Sequence, residues 1–484
     1  MKIRYFVLLL LIVSCTKKDV EIAEPAPGIT GLQSEYYVLV RDTIQLNPVI
    51  ENRVDSIVWV VDGKRMANSK LYTFQAPATP GTYSLIVMAY NSGNIYQKVI
   101  QITSGRYVNY TTTTNTILQL NGTGNFEVLS APSELYRLTN DGLFSAVSRG
   151  TYQLKVAADT VLVTVHQPEK AQSPYLSGVF DYLPAPGQFV NELPKYTAGD
   201  TRETMITKAA KELTGEDANM ITLGGWGGYV VAGFDHTIVN VAGRRDFRID
   251  GNAFGANANP RPNAPFGGSC EPGIIMVAYD KNKNGKPDED EWYEIKGSAN
   301  TSAENELWYT VAVTNKNDVR TFRDYQMTYS RPVKETSADT PQLHVSILDY
   351  IHWSDNQGQE GYKIKNTFHA QSYYPAWIKD DKITYKGIRL AANSIDESGQ
   401  GSYYVQYAFR YGYVDNYPNA HDNSAIDIDW AIDKEGNKVT LPGIDFVKIY
   451  NGIDQENGWL GEASTEVGRG TDLHLVGLNI ATIK

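Results

Sequence analysis

The most restrictive pattern in this chain is a strict alternation near its C-terminal end. Between residues 403 and 413 every second position is aromatic or aliphatic: Tyr403, Val405, Tyr407, Phe409, Tyr411 and Tyr413. An alternation of period two places such side chains on one face of a β-strand. The sequence therefore predicts a single strand here, with Tyr407 and Phe409 facing a core.

The composition extends this preference for strands to the whole chain. The 484 residues include 32 Tyr, 8 Trp and 41 Gly, and 42% of them are hydrophobic. Aromatic residues favour strands, glycine favours tight turns, and this apolar content is sufficient for folded cores. We predict an all-β protein, in which two small Ig/PKD-like β-sandwich modules precede a large, jelly-roll-like β-sandwich with a minor helix.

One helix is expected in the large module. Asp200 is the predicted N-cap, Glu203 follows as in a capping box, and Gly215 ends the helix. Residues at helical spacing share one apolar face: Met205, Ala209 and Leu213.

Charge and cysteine content exclude two classes of protein. The chain has 44 basic and 55 acidic residues, a net charge of −11, which argues against binding to nucleic acid. Its two cysteines, Cys15 and Cys270, are too few for a disulfide framework. Cys270 is expected to be buried.

The N-terminus predicts export and lipidation. Lys2 and Arg4 precede the apolar run 6–13, which is too short to span a bilayer and is typical of a signal peptide. Because a small residue then precedes Cys15, this segment resembles a bacterial lipobox, which implies cleavage before Cys15 and diacylation. An ordinary signal peptide that contains a cysteine is the alternative.

Turns and linkers divide the chain into five predicted segments. Trp59 precedes the hairpin signal Asp62-Gly63, and together with the turn 76–81 this order resembles PKD-like domains. Trp59 is expected to be a core residue. The segments are a signal peptide (1–14), a lipidated tether (15–27), a PKD-like β-sandwich (28–104), a small β-module (105–167) and a large ligand-binding β-sandwich (171–484).

Residues 280–291 have the spacing of a calcium-binding loop. Oxygen-bearing side chains occupy positions 1, 3, 5, 9 and 12 of the loop, glycine is at position 6, and position 7 would offer its carbonyl oxygen. The predicted ligands of a structural calcium ion are Asp280, Asn282, Asn284, Lys286, Asp288 and Glu291. Strands are expected at 272–279 and 292–295. The alternative is a solvated acidic hairpin.

Two further motifs are candidate sites of chemistry. Asp427 and Asp429, beside Asp422 and Asp433, would share a strand face as a metal pair does, but an ordinary turn is the preferred interpretation. The glycine-rich segment 224–228 is not followed by a helix, so it indicates close backbone approach around Trp226 rather than phosphate binding.

Aromatic residues are dense between residues 350 and 417. Those in turn-like contexts are expected to be exposed and to stack on a ligand, because removing an aromatic face from water costs little free energy. The predicted ligand-binding residues are Trp353, Tyr373, Tyr374, Trp377 and Tyr417.

A long series of motifs resembles a known family. It runs from GGWGGYVVAGFDHTI through EPGIIMVAYDKNKNGKPDEDEWYEI to LPGIDFVKIYNGI and GWLGEASTEV, and it spans about residues 175–475. The series is similar to the C-terminal module of Bacteroidetes cell-surface lipoproteins found beside outer-membrane cobalamin uptake systems. The resemblance implies a surface lipoprotein of the outer membrane, and it implies no particular binding residues.

These observations favour a non-enzymatic binding protein. It would capture a bulky nutrient, with cobalamin or a related corrinoid first and a glycan second, and deliver it to a TonB-dependent outer-membrane transporter. A glycan-hydrolysing enzyme, which requires a facing pair of carboxylates, and a purely adhesive protein remain alternatives.

Overall fold

The computed structural model describes residues 25–91, 93–105, 107–121, 126–156, 159–256, 263–336 and 344–483. Cys15 and the predicted signal peptide lie outside the described residues. Strands make up 44% of the structure and helices 7%, so the prediction of an all-β fold is confirmed. In the described ranges, no helix is long and apolar enough to cross a membrane.

The first part of the chain, up to residue 166, consists of strands joined by turns and loops. They are β1 (Gly28–Thr30), β2 (Glu35–Leu39), β3 (Thr43–Leu46), β4 (Val49–Glu51), β5 (Ser56–Val61), β6 (Lys64–Ala67), β7 (Tyr72–Gln75), β8 (Gly81–Asn91), β9 (Asn94–Gly105), β10 (Tyr107–Thr113), β11 (Leu118–Gln119), β12 (Phe126–Ser130), β13 (Tyr136–Leu138), β14 (Leu143–Ala146), β15 (Gly150–Val156) and β16 (Asp159–His166).

The second part adds further strands and two helices. The strands are β17 (Gly178–Leu183), β18 (Ile221–Thr222), β19 (Tyr229–Val239), β20 (Arg244–Arg245), β21 (Phe247–Ile249), β22 (Phe254–Gly255), β23 (Gly267–Ser269), β24 (Gly273–Ala278), β25 (Trp292–Ile295), β26 (Phe322–Ser330), β27 (Val345–Asp355), β28 (Glu360–Asn366), β29 (Lys382–Arg389), β30 (Ser394–Asp396), β31 (Tyr404–Tyr407), β32 (Ala425–Ile426), β33 (Ala431–Ile432), β34 (Gly443–Asn451), β35 (Glu466–Val467), β36 (Gly470–Asp472) and β37 (Ile480–Ala481). The helices are α1 (Arg202–Leu213) and α2 (Tyr309–Thr314), and short 3₁₀ turns occur at Glu289–Glu291, Asp422–Ser424, Ile428–Trp430 and Gly458–Leu460.

The chain separates into two compact units. The first comprises residues 25–36, Gln45–Phe74 and Gly81–Thr103, and the second comprises Tyr37–Ile44, Gln75–Pro80 and residues 104–483.

The first unit is built around Trp59 in β5. The side chain of Trp59 is fully buried, its ring stacks on Tyr72 with centroids 5.2 Å apart, and its indole N–H donates to the Ser69 carbonyl at 2.8 Å. The prediction that Trp59 is a core residue is confirmed. The residues Asp62 and Gly63 that join β5 to β6 both have positive φ, 44° and 81°, as a two-residue hairpin turn requires.

The second unit begins with a small β-module. A four-stranded sheet, β10-β16-β15-β12, and a three-stranded sheet, β11-β14-β13, enclose a core in which Phe144 and Tyr152 meet edge to face. Arg137 forms an ion pair with Asp429, and the Ser145 hydroxyl donates to the carbonyl oxygen of Pro442 at 2.6 Å. These contacts join the small module to the remainder of the unit.

A six-stranded antiparallel sheet forms the centre of the second unit, in the order β17-β19-β34-β24-β25-β33. Helix α1 packs on this sheet because its apolar face enters the same core as Val230, Ile275 and Val447. The face is the predicted one, with Met205, Ala209 and Leu213 all buried.

The predicted start of α1 is wrong by one residue. The N-cap is Thr201, whose hydroxyl accepts the backbone N–H of Thr204 at 3.3 Å. Asp200 instead accepts the Thr197 N–H and forms an ion pair with Lys208 in the second turn of the helix. A hydroxyl directly before the first helical residue therefore takes the place of the carboxylate.

The predicted single strand 403–413 is also wrong. Only Tyr404–Tyr407 is strand, because the side-chain amide of Asn416 accepts the Phe409 N–H at 2.8 Å and donates to the Phe409 carbonyl at 2.7 Å. A side chain thus occupies the backbone groups that a partner strand would need, and Gly412 then turns the chain with φ 89°. Tyr407 and Phe409 are nevertheless fully buried, as predicted.

The glycine-rich segment 224–228 is a site of close backbone approach, as predicted. A Cβ at Gly224 would overlap the carbonyl oxygen of Ala185, and one at Gly225 would lie 2.9 Å from Cε of Lys363. Trp226 is fully buried and donates its indole N–H to the carbonyl oxygen of Ile388 at 3.0 Å. The segment packs against the four-stranded sheet β28-β27-β26-β29.

Candidate functional site

The predicted calcium loop connects two neighbouring strands of the central sheet. β24 and β25 pair in antiparallel register, with Ala278 opposite Trp292, and residues 279–291 form the connection. The backbone N–H of Asp280 donates to Asp445 of β34 at 2.7 Å, so the start of the loop is also tied to the next strand. The expected strands on both sides of the loop are confirmed.

Oxygen-bearing side chains converge within this loop. The carboxylate of Asp280 accepts the backbone N–H groups of Asn284 at 3.0 Å and Gly285 at 2.8 Å. The side-chain amides of Asn282 and Asn284 donate to one oxygen of Asp288, at 2.7 and 2.9 Å. Gly285 has a φ of 75°, the left-handed conformation that glycine adopts without strain.

Glu291 closes the loop. Its carboxylate is buried and accepts the N–H groups of Lys281 at 2.7 Å and Asp288 at 3.1 Å. Burial raises the pKa of Glu291, and the charges of Asp280 and Asp288 raise it further.

The donor set of this loop fits a hard cation. Among the described residues, no lysine or arginine forms an ion pair with Asp280, Asp288 or Glu291, and the ammonium of Lys281 donates to the carbonyl oxygen of Asp290. Lys286, the predicted backbone ligand, donates its N–H to Asn284 at 2.8 Å. Carboxylate, amide and carbonyl oxygens are the ligands that calcium prefers.

Three of the predicted ligand-binding aromatics are buried, so their expected exposure is wrong. Tyr373 and Tyr374 are 1% exposed and Trp377 is 7% exposed. The Tyr374 hydroxyl donates to the carbonyl oxygen of Asp380 at 2.7 Å, and Trp377 stacks on Tyr182 of β17. Residues from distant parts of the chain cover these side chains, although turn residues surround them in sequence.

Trp353 and Tyr417 are half-buried and lie in different surroundings. Trp353 packs over Gly361 of the neighbouring strand β28, where a Cβ would lie 2.8 Å from its ring. Tyr417 is the middle ring of a stack, with Phe266 at 5.3 Å on one side and His421 at 4.9 Å on the other. The structure therefore does not bring the five predicted residues together.

A different set of rings forms an exposed aromatic surface. His344, Phe368 and Trp459 lie in mutual contact, with centroid distances of 5.1, 5.6 and 6.0 Å. Phe368 is 55% exposed, and the adjacent Leu460 is 41% exposed. We call His344, Phe368 and Trp459 the Trp459 surface.

Trp459 is held at the tip of a tight loop. Glu456 and Glu462 form a β-bridge at the base of this loop, and the Asn457 N–H donates to the carbonyl oxygen of Gly461 at 2.8 Å. Gly458 and Gly461, which flank the tip, both have positive φ. Those two glycines beside a tryptophan are the signal in the sequence that could have identified the loop.

Buried polar side chains connect this loop to the segment that carries Phe368. The amide oxygen of Asn366 accepts the backbone N–H groups of Phe368 at 3.0 Å and His369 at 3.1 Å. The Asn366 amide donates to the side chain of Gln188 at 2.7 Å, and the Gln188 backbone N–H donates to Glu462. Rings from two loops are thus fixed relative to each other before any ligand arrives.

A buried ion pair supports the same loop. The Lys363 ammonium lies 2.8 Å from Glu456, and its side chain is 3% exposed. Burial raises the pKa of Glu462 to about 7, although the positive charge of Lys363 opposes this increase.

The structure also assembles three carboxylates that are distant in sequence. Glu271, Asp415 and Glu466 have oxygen atoms within 4.8 Å of one another. Burial raises the pKa of all three, and the negative charge of Glu271 raises those of Asp415 and Glu466 further. The surrounding donors are neutral, such as the Asn252 amide at 3.0 Å from Glu466.

Asp427 and Asp429 do not share a strand face, and the preferred interpretation of this segment, an ordinary turn, is confirmed. Both lie at a 3₁₀ turn, where the Asp427 carboxylate accepts the Asp429 N–H at 2.7 Å. Asp429 pairs with Arg137, and Asp433 accepts the Asn437 N–H at 2.8 Å within an ordinary turn. Cys270 is fully buried, as expected.

Comparison with known proteins gives only weak likenesses. No protein-family model matches the chain, and no curated protein matches it. The fibronectin(III)-like modules of CbhA from Clostridium thermocellum are 12% identical and cover 29% of this chain and 94% of their own, with a TM-score of 0.16. The N-terminal Ig1-2 module of the Drosophila receptor protein tyrosine phosphatase DLAR is 15% identical. Its match covers 29% of this chain and 99% of the module, with a TM-score of 0.16. The chain is thus similar, over about a third of its length, to Ig- and fibronectin-type modules, and these likenesses carry no argument about function.

Proposed function

We propose that this protein is a lipoprotein, anchored through Cys15 at the surface of the outer membrane, that binds a bulky nutrient without transforming it. The proposed ligand is cobalamin or a related corrinoid, which the protein delivers to a TonB-dependent outer-membrane transporter. The observation that supports binding most directly is the Trp459 surface, because three aromatic side chains gather where solvent can reach them.

The shape of such a ligand suits this surface. A corrinoid presents a broad, partly apolar face, and aromatic rings supply large contact area with little loss of conformational freedom. The Asn366–Gln188–Glu462 connection reduces that loss further, because it orders both contributing loops in the free protein.

Calcium has a structural part in this proposal. Asp280, Asn282, Asn284, Asp288, Glu291 and the Lys286 carbonyl would hold one ion between β24 and β25. The ion would compensate the negative charges of the loop carboxylates and stabilise the connection between β24 and β25. It would not contact the nutrient.

Titration of the purified mature protein with cobalamin, and with a glycan panel in parallel, tests the proposal. Truncating a central aromatic anchor costs about 2 kcal/mol, so Trp459→Ala should weaken cobalamin binding about thirtyfold. Phe254→Ala is the matched control, since Phe254 is 59% exposed and lies on β22.

Two outcomes would contradict the proposal. The first is wild-type protein that binds no corrinoid at millimolar concentration. The second is a Trp459→Ala variant that keeps its melting temperature and also keeps wild-type affinity. Binding of a glycan but not of cobalamin at the Trp459 surface would favour the glycan alternative.

A further inference from the structure

A cleft of about 650 Å³ lies beyond the C-terminal end of α1. One wall is formed by α1 and the segment that follows it, and the other by the residues after β21 and the turn between β35 and β36. Volumes of roughly 300–1,000 Å³ are typical of small-molecule sites. Its apolar lining includes Leu193, Ala218 and Met220.

The polar groups of this cleft are mixed in kind. Asp250 and Arg469 form an ion pair within one wall at 3.3 Å, and the Asn219 amide donates to Glu212 in the other wall at 2.9 Å. Asn419 is fixed by two hydrogen bonds with the backbone of Gly251, at 2.9 and 3.0 Å. The lining therefore contains both donors and acceptors, and these hydrogen bonds hold them in place.

The floor of the cleft is thin and is backed by buried carboxyl groups. Gly251 has no side chain, and a Cβ there would collide with the carboxylate of Asp415. The next residue, Asn252, donates its backbone N–H to Asp415 at 2.7 Å and its side-chain amide to Glu466 at 3.0 Å. Within the lining, Arg469 is paired with Asp250 and Glu212 accepts the Asn219 amide, so each of these charged groups already has a polar partner.

We propose that this cleft binds an uncharged, polyhydroxylated ligand, a short saccharide. A sugar hydroxyl donates and accepts at the same time, so it can donate to Asp250 or Glu212 and accept from Arg469 or Asn219. Leu193 and Met220 provide apolar contact for the C–H face of a sugar ring. This assignment does not depend on the corrinoid proposal, because the two sites share no residue.

The test is a neutral-saccharide panel, measured by calorimetry and saturation-transfer NMR on the full mature protein. Ala218→Tyr fills the cleft and should abolish saccharide binding. Ala198→Tyr is the matched control, because Ala198 is exposed and precedes α1. The length of this twelve-residue helix, about 18 Å, separates its first turn from the cleft at its C-terminal end. The control should bind as the wild type does.

A second variant keeps the test decisive if Ala218→Tyr fails to fold. Asp250→Asn removes one charged acceptor and should weaken saccharide binding about tenfold to a hundredfold. The assignment is overturned if no neutral saccharide binds the wild type, if binding survives in both variants, or if only charged compounds bind.

Discussion

Replacing Lys363 with methionine should destabilise the second unit by about 3 kcal/mol near pH 8. Methionine keeps the apolar stem that packs beside Gly225, so the main loss is the ammonium 2.8 Å from Glu456. Breaking a buried ion pair costs about 3–5 kcal/mol, because the remaining charge is left uncompensated. We expect a cost at the lower end of that range, because the Glu456 side chain is 30% exposed and water can still solvate its charge.

The loss should depend on pH with a definite sign. The folded pKa of Glu462 is about 7, above its ordinary value of 4.5, and removing Lys363 raises it further. A carboxyl with a raised folded pKa contributes stability below its ordinary pKa and loses that contribution as the pH rises through the folded value. The variant should therefore be close to wild type near pH 5 and least stable above pH 7.

Urea unfolding at several pH values, followed by tryptophan fluorescence, measures this difference. The double variant Lys363→Met/Glu456→Gln is the control, because it removes the uncompensated charge and should recover part of the stability. A deficit of equal size at pH 5 and pH 8 would refute the electrostatic explanation and indicate a packing defect.

Three further outcomes are expected. Calcium should raise the unfolding free energy by about 2.7 kcal/mol at a hundredfold excess over its dissociation constant, and Asp280→Ala should abolish this gain in chelator-controlled melting experiments. Burial alone would lower the pKa of His236, but its hydrogen bonds to Asp472 and Asp235 outweigh burial and raise it. The stability that protonated His236 contributes is therefore complete below pH 6.5, and it is lost as the pH rises through the raised pKa of the folded protein. His236→Gln should cost about 2 kcal/mol of unfolding free energy at pH 6 and less at pH 9. A cost that is the same at both pH values would contradict this explanation. Cys15→Ser should move the protein from the membrane fraction to the soluble fraction, and unchanged partitioning would exclude a lipid anchor.

The features that the sequence determined are those in which the interacting residues are close along the chain. The connection between β24 and β25 is an example, because its interacting side chains fall within twelve residues and the flanking strands are visible as apolar runs. The buried face of α1 is another, since Met205, Ala209 and Leu213 follow from helical spacing alone. The glycines around Trp226 likewise indicated close backbone approach correctly.

Tertiary structure alone decided which aromatic residues remain exposed. Turn residues around Tyr373 and Trp377 predicted exposure, but burial depends on chain segments nearly two hundred residues away, such as the one that places Tyr182 on Trp377. The Trp459 surface arises in the same way, from residues 344, 368 and 459, which have no common motif. Local patterns specify backbone conformation because it depends on near neighbours, whereas solvent exposure depends on everything that packs nearby, and only the folded chain determines that.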